Sequence, residues 1–129
     1  NSDITINDSN KDLLNGKNAV LFLTDNKTLT FSLTNFTPSG SLMLFANTIA
    51  IDENPESISN TILLGNSIIV TGSKGLKITG NIIAFKSFSN SRDVSDNSKP
   101  SIFVVFNPKP YLDLLPAISA SIYDWKQIQ

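Results

Sequence analysis

Three aromatic residues near the end of the chain, Tyr111, Tyr123 and Trp125, have the types and spacing to bind a ligand. In an extended strand Tyr123 and Trp125 share one face, opposite Ile122. A flat aromatic ring stacks on the C–H groups of a sugar, and nearby Asn and Ser side chains can add hydrogen bonds. If exposed, this set suits a carbohydrate or a partner surface. The alternative is that the rings are buried and close one end of the fold.

The acidic residues Asp52, Glu53 and Glu56 form a second group that could do chemistry. Two carboxylates at a suitable separation act as acid and base in glycoside cleavage. Here they stand beside Pro55 in a polar stretch, which is typical of a solvated turn. We therefore expect no catalytic residues in this segment, and we predict that the protein is not an enzyme.

Metal and phosphate sites have little support in the sequence. Asp93, Asp96 and Asn97 carry the oxygen ligands that Ca²⁺ prefers, but the alternate spacing and closing Glu of an EF-hand loop are missing. Lys74 precedes Gly75, whereas a P-loop lysine precedes Ser or Thr and then a helix. The chain has no Cys and no His, which excludes Cys/His zinc sites, thiol nucleophiles and imidazole catalysis. We expect no metal and no cofactor.

The composition indicates one soluble domain over residues 1–129. Hydrophobic residues make up 40% of the chain, which argues against intrinsic disorder. The net charge is −1 with no basic cluster, so nucleic-acid binding lacks its main energetic term. No apolar run approaches the roughly 20 residues that span a bilayer. Because the sequence does not begin with Met, we expect a domain excised from a longer anchored or exported precursor.

Short strands dominate the pattern of the chain, which predicts an all-β fold. Residues 28–36 place Leu29, Phe31 and Leu33 on one face, which predicts a half-buried antiparallel strand. Residues 101–106 are predicted to be a buried strand, and residues 119–128 a final strand. The prolines between these segments leave room for one helical turn at most.

Glycines at 65, 72, 75 and 80 leave only the short runs "NSIIVT", "SK" and "LKIT" between them. Glycine tolerates the left-handed backbone that a sharp corner needs. Short strand, corner, short strand is the pattern of a β-solenoid, in which the chain winds and each coil stacks on the last. We predict a short β-solenoid, or β-helix-like stack, with irregular capping strands before Gly40 and after Pro100. A meander sheet with hairpin turns is the alternative.

The order of three segments resembles the C-terminal region of type IV pilus accessory proteins, a minor pilin-like family. The segments are "GLKITGNIIAFKSF", "SIFVVFNPKPYLDLLP" and "SIYDWKQI", within residues 62–128, about half the chain. The family has a coil, then a strand, then an ending with Trp and a basic residue. The matching positions are Leu76, Ile78, Gly80, Ile82 and Ala84; Phe106, Asn107, Pro108 and Leu112; and Trp125 with Lys126. The chain departs from the family in its single good pair of coils and in lacking the hydrophobic N-terminal helix.

This resemblance implies a non-catalytic extracellular domain at the cell surface, acting in pilus assembly or adhesion. Its partners would be other pilus or surface proteins, and it would meet a membrane only through a segment outside this sequence. Two other β-solenoid families remain alternatives. The Asn/Ser/Thr-rich and Phe-rich composition is similar to that of tapirins, which are cellulose-binding surface proteins. Bactofilins are structural polymers built on the same coil.

Overall fold

A computed structural model describes residues 2–116 of the chain, and they form one parallel β-solenoid of about four coils. Strand accounts for 51% and helix for 10%, so the predicted all-β class is confirmed. Within these residues, all eight strands belong to one sheet and every pairing is parallel. The strands are β1 Ile4–Asn7, β2 Ala19–Phe22, β3 Thr28–Ser32, β4 Asn35–Phe36, β5 Leu42–Ile51, β6 Ser57–Val70, β7 Leu76–Asn90 and β8 Ile102–Phe106.

The strands lie on three faces, because β5, β6 and β7 are long enough to turn a corner. Face 1 consists of β1, β3 and residues 48–51, 67–70 and 87–90. Face 2 consists of β4, residues 57–59 and 77–79, and β8. Face 3 consists of β2 and residues 42–46, 61–65 and 80–84. From β3 onward, each coil follows face 1, then face 2, then face 3.

The strand register shows the length of a coil directly. Thr28 pairs with Thr48, Thr48 with Ser67, and Ser67 with Ser87, so one coil takes 19 or 20 residues. The predicted solenoid is confirmed and the meander alternative is wrong. The antiparallel assignment of residues 28–36 is also wrong, because β3 runs parallel to β1 and β5. Alternation along a strand fixes which side chains are buried, but it does not reveal the direction of the neighbouring strand.

Inward-facing side chains from the three faces fill the interior. On face 1, Leu29, Ile49 and Ile68 lie one above another and are fully buried. The alternation predicted for Leu29, Phe31 and Leu33 is confirmed, since all three are in the core. Stacking in register places apolar groups of successive coils in contact, and this buries the core without a second layer.

Gly72 and Gly80 are required for different structural reasons. Gly72 has φ +133°, where an L side chain is strained, and it turns the chain between β6 and β7. Gly80 has no such backbone, but a Cβ there would lie 2.1 Å from the carbonyl oxygen of Thr61 in the coil below. The left-handed explanation is therefore right for Gly72 and wrong for Gly80, where the close approach of stacked coils excludes a side chain.

A 3₁₀ helix, Lys11–Leu14, follows β1 at the N-terminal end of the solenoid, and Leu14 packs against the core. Asn10 also covers the free edge of β1. Its Nδ2 donates to the carbonyl oxygen of Thr5 at 2.8 Å, and its Oδ1 accepts from the backbone N–H of Asn7 at 2.9 Å. The predicted cap before Gly40 is thus confined to residues near 10–14, since β2, β3 and β4 already belong to coils.

The C-terminal end is built by residues 87–90 and β8, which occupy the last coil in the described part of the chain. The strand predicted at residues 101–106 is present, but its predicted burial is wrong. Phe103, Val104 and Phe106 are exposed. Its apolar composition suggested burial, yet Phe103 pairs with the exposed Lys77 on the outside of face 2. The inward-facing Val104 would need a further coil above it, which residues 2–116 do not supply.

A helix over residues 109–116 follows β8 and packs on the outside of face 3. Asn81 Nδ2 donates to the Tyr111 hydroxyl at 2.7 Å, Ser41 Oγ donates to Asp113 Oδ2 at 2.6 Å, and Leu114 is buried. The expectation of one turn at most is wrong. Pro110 lies in the first turn, where its missing N–H has no intrahelical acceptor, and Pro116 lies at the last position described.

Candidate functional site

Of the three aromatic residues predicted to bind a ligand, the described part of the chain includes Tyr111. Its hydroxyl accepts the hydrogen bond from Asn81, and its ring lies 6.1 Å from that of Phe106. These contacts attach the helix of residues 109–116 to the solenoid. Tyr123 and Trp125 lie outside the described residues, so a platform formed by the three rings stays a prediction.

The acidic residues lie at a corner of the solenoid, and two of them have structural contacts. Asp52 accepts a hydrogen bond from the backbone N–H of Asn54 at 2.8 Å, as in an Asx turn. Glu56 forms an ion pair with Lys74 at 2.7 Å. Lys74, which was compared with a P-loop lysine above, is therefore engaged by a neighbouring carboxylate. Glu53 is exposed. These contacts favour the solvated-turn interpretation of this segment.

The buried Arg92 connects this corner to the loop after β7. It is 6% exposed and donates to the backbone oxygens of Lys74 at 2.7 Å and Asp52 at 2.8 Å. Burial lowers the pKa of Arg92 from its usual value, although the nearby Asp52 and Glu56 act in the opposite direction. Its role is to hold two corners together, and the sequence pattern did not single it out.

The residues considered for calcium binding do not assemble a metal site. Asp96 accepts hydrogen bonds from the backbone N–H and the hydroxyl of Ser98, and these bonds lower the pKa of Asp96. Within residues 2–116 there is no group of three or more Asp, Glu, His or Cys residues that could hold a metal ion. In the same residues no helix combines the length and apolar character needed to cross a bilayer.

An apolar stripe lies on the outside of face 3. We call it the aromatic flank, and it consists of Phe22, Phe45, Leu64, Ile83 and Phe85. The first four pair in register across successive coils, and Phe85 follows at the next corner. Phe22 is 63% exposed and Phe85 59%. Adjacent rings lie 5.6 Å apart for Phe22 and Phe45, and 6.4 Å apart for Phe45 and Phe85.

A polar ladder borders the aromatic flank at the next corner of the solenoid. Asn66 Nδ2 donates to Asn47 Oδ1 at 3.0 Å, and on face 1 Ser87 Oγ donates to Ser67 Oγ at 2.9 Å. The flank therefore combines exposed aromatic rings with neutral hydrogen-bonding groups. The sequence does not reveal the flank, because its four paired members are 19 to 23 residues apart and align only once the coil length is known.

A shallow groove lies on the outside of face 2, between the last coil and the loop that precedes β8. Its volume is about 410 Å³, and its lining includes Lys77, Val94, Lys99 and Phe103. The floor is mainly apolar and two lysines are at its rim.

Searches with this chain against protein-family models, curated proteins and solved structures found no match.

Proposed function

We propose that this chain is a non-catalytic extracellular surface domain of a pilus accessory, or minor pilin-like, protein that acts in pilus assembly or adhesion. The order of motifs described above supports the assignment to this class. The observation that carries a binding role is the aromatic flank, because exposed contiguous apolar surface marks interaction sites on soluble proteins. The solenoid would act as a rigid support that presents this flank to another surface protein.

Two properties of the flank favour a protein contact. Its three rings contact one another on strands of one parallel sheet, so little side-chain entropy is lost when a partner covers them. Aromatic residues are also enriched at the centres of protein interfaces, where water is excluded around them. The engaged state of Asp52 and Glu56 supports a binding role over a catalytic one.

The proposal is tested by deleting the gene in the source organism and complementing it with variants. Phe22→Ser combined with Phe85→Ser removes two exposed rings, so the fold should remain intact. Leu112→Ser with Leu115→Ser is the matched control, since both leucines are exposed on the helix of residues 109–116. We expect deletion to reduce surface pili or attachment, and the control but not the flank variant to restore them. Unchanged pili and attachment after deletion would contradict the proposal.

A carbohydrate-binding surface module is the second candidate, favoured by the neighbouring rings and the Asn47–Asn66 ladder. Stacked rings bind sugar C–H faces while amides bind hydroxyls. We expect the intact chain to be retained on insoluble cellulose if this candidate is right. Loss of retention in the Phe22→Ser/Phe85→Ser variant would assign binding to the flank, whereas loss in Trp125→Ala would assign it to the predicted aromatic set. Circular dichroism checks folding in each case.

A further inference from the structure

Face 3 points two rows of side chains outward, and the helix of residues 109–116 lies over the first of them. Ile62 faces outward in this first row, in register between Met43 and Asn81. It is fully buried, although it is not part of the inward-facing core. Because Asn81 donates a hydrogen bond to Tyr111, the helix is the element that covers this row. The second row is the aromatic flank, which stands immediately beside it.

The direction of this helix brings the chain back to the earlier coils. Tyr111 binds Asn81, whereas Asp113 binds Ser41, which precedes the strand two coils earlier on face 3. The helix therefore runs from the later coils towards the first ones. Phe22 of the aromatic flank belongs to the first coil of face 3, so the chain leaves the helix near one end of the flank.

The side of the helix that faces the flank carries an exposed leucine. Leu114 is buried against the sheet, and Asp113 and Leu115 lie about 100° to either side of it around the helix. Because Asp113 contacts Ser41 at the start of face 3, Leu115 lies on the opposite side, towards the flank, and it is 53% exposed. This leucine and the flank therefore border one strip of apolar surface.

Residues 117–129 continue the chain from this point, and more than half of them are apolar. The large apolar side chains of this segment are Ile118, Ile122, Tyr123, Trp125 and Ile128, and its charged ones are Asp124 and Lys126. Thirteen residues reach about 43 Å when extended. The flank from Phe22 to Ile83 spans three strand spacings, or about 14 Å. The segment is therefore long enough to cross the whole flank.

We propose that residues 117–129 fold back over the aromatic flank of the same chain, with their Ile, Tyr and Trp side chains packed on its rings. Removing apolar surface of both parts from water drives the contact. Because the helix holds the segment beside the flank, its effective concentration there is on the order of millimolar. An intrinsic dissociation constant of about 0.1 mM then docks the segment in about nine of ten molecules, and a second copy in dilute solution does not compete.

This inference rests on the proposed function only for its consequence. A surface protein that binds the flank must displace the segment, so the segment would regulate access to the rings. Docking itself is a property of the isolated chain and is measured without any partner. It can fail while the gene-deletion experiment succeeds, and it can hold while that experiment fails.

Tryptophan fluorescence of the intact chain tests the docking, because Trp125 is the only tryptophan. In dilute solution we expect its emission to be blue-shifted, and its quenching by acrylamide to be several-fold weaker, relative to the chain unfolded in urea. Phe22→Ser/Phe85→Ser should shift the emission to the red and raise the quenching several-fold, because two exposed rings of the flank are lost. Emission and quenching equal to those of the unfolded chain, before any substitution, would overturn the proposal.

Two control variants remove exposed apolar side chains elsewhere. Phe103→Ser removes a ring from the groove on face 2, and Leu13→Ser removes a leucine that is 73% exposed beside a depression of about 230 Å³ near β1. We expect both to leave the fluorescence of Trp125 unchanged. A change in either control, with none in Phe22→Ser/Phe85→Ser, would place the segment at that other surface and overturn docking on the flank.

A spin label distinguishes docking within one chain from docking between two. Since the chain has no Cys, Ser121→Cys supplies a single attachment point for a nitroxide. We expect the label to broaden the methyl signals of Leu64 and Ile83 in the flank, while that of Ile4 near the N-terminal end stays sharp. In a mixture of labelled chain with isotope-enriched unlabelled chain, the enriched signals should stay sharp. Broadening of Leu64 and Ile83 in the mixture would assign the flank to a second copy and overturn the proposal. Circular dichroism confirms that each variant is folded.

Discussion

The two ends of the solenoid are built differently, although the same coil produces both. At the N-terminal end Asn10 binds the free edge of β1 and Leu14 packs against the core. At the C-terminal end the inward-facing Phe88 and Val104 are exposed in the described chain. A parallel stack leaves unpaired backbone and apolar side chains wherever it stops, so each end needs a cover. Within residues 2–116, a local side chain therefore binds the edge of β1, whereas Phe88 and Val104 stay about half exposed.

The largest expected effect on stability comes from shortening a buried side chain in the inward-facing stack of face 1, compared with an exposed one at its end. Ile68 and Phe88 are neighbours in the same inward stack, but only Ile68 is fully buried. We expect Ile68→Ala to lower the free energy of unfolding by about 2–4 kcal/mol, because it leaves a cavity. Phe88→Ala should cost about 1 kcal/mol, since its ring is half in solvent.

Urea unfolding measures both values, with the slope of the transition as a check that the unfolded state is unchanged. Equal losses of stability in the two variants would show that Phe88 is as well covered as Ile68.

A smaller effect is expected at the edge of β1. Asn10→Ala removes the side chain that binds Thr5 and Asn7, so two backbone groups lose their partner. We expect a loss of about 1–2 kcal/mol, in the range measured for capping side chains. Ser101→Ala is the matched control at the other end, where the serine hydroxyl accepts from Asn90 in an exposed pair. Its cost should be a few tenths of a kcal/mol, as for other exposed polar contacts.

Amide hydrogen exchange locates the effect of Asn10→Ala. Faster exchange in residues 4–7 is expected, with little change in residues 87–90. Uniform acceleration over the whole chain would show instead that Asn10 supports the entire solenoid rather than its N-terminal edge.

The smallest effect concerns the helix of residues 109–116, which connects the C-terminal end back to an earlier coil. Hydrogen bonds from Lys109 and then from Ser41 lower the pKa of Asp113 from its usual 3.8. A carboxyl whose pKa is lower in the folded state stabilises that state above its unfolded pKa. This contribution is lost as the pH falls through the lowered value. Docking of the helix should therefore weaken only below about pH 4.

Nuclear magnetic resonance can follow this step through the Asn81 side-chain amide, which donates to Tyr111. Its signal should shift as the pH falls below the pKa of Asp113, and the shift should be absent in Asp113→Asn. A shift of the same size and midpoint in that variant would assign the titration to another group.

Much of the fold could be predicted from the sequence because local constraints determine it. Leu29, Phe31 and Leu33 alternate with polar residues, and the period of two fixes their burial whichever strands are adjacent. Gly72 marks a turn that only its backbone freedom allows. Strand direction did not follow from the same pattern, so β3 was assigned to an antiparallel pair.

The candidate surfaces depended on contacts between distant residues. The aromatic flank brings Phe22 and Phe45 together from 23 positions apart, and neither residue is unusual in its own strand. Gly80 was predicted to serve backbone freedom, whereas it is required by the approach of Thr61 from the coil below. β8 was predicted to be buried because its composition is apolar, yet it lies where the described coils end.

The sequence by itself determined that the chain forms β-strands, that Gly72 marks a turn between two of them, and that Leu29, Phe31 and Leu33 avoid water. These properties follow from backbone sterics and apolar burial within a few residues. Only the tertiary structure decided the parallel register and the alignment of Phe22 with Phe45. Such properties arise when segments about 20 residues apart stack on one another, and no interaction within a single strand specifies that stacking.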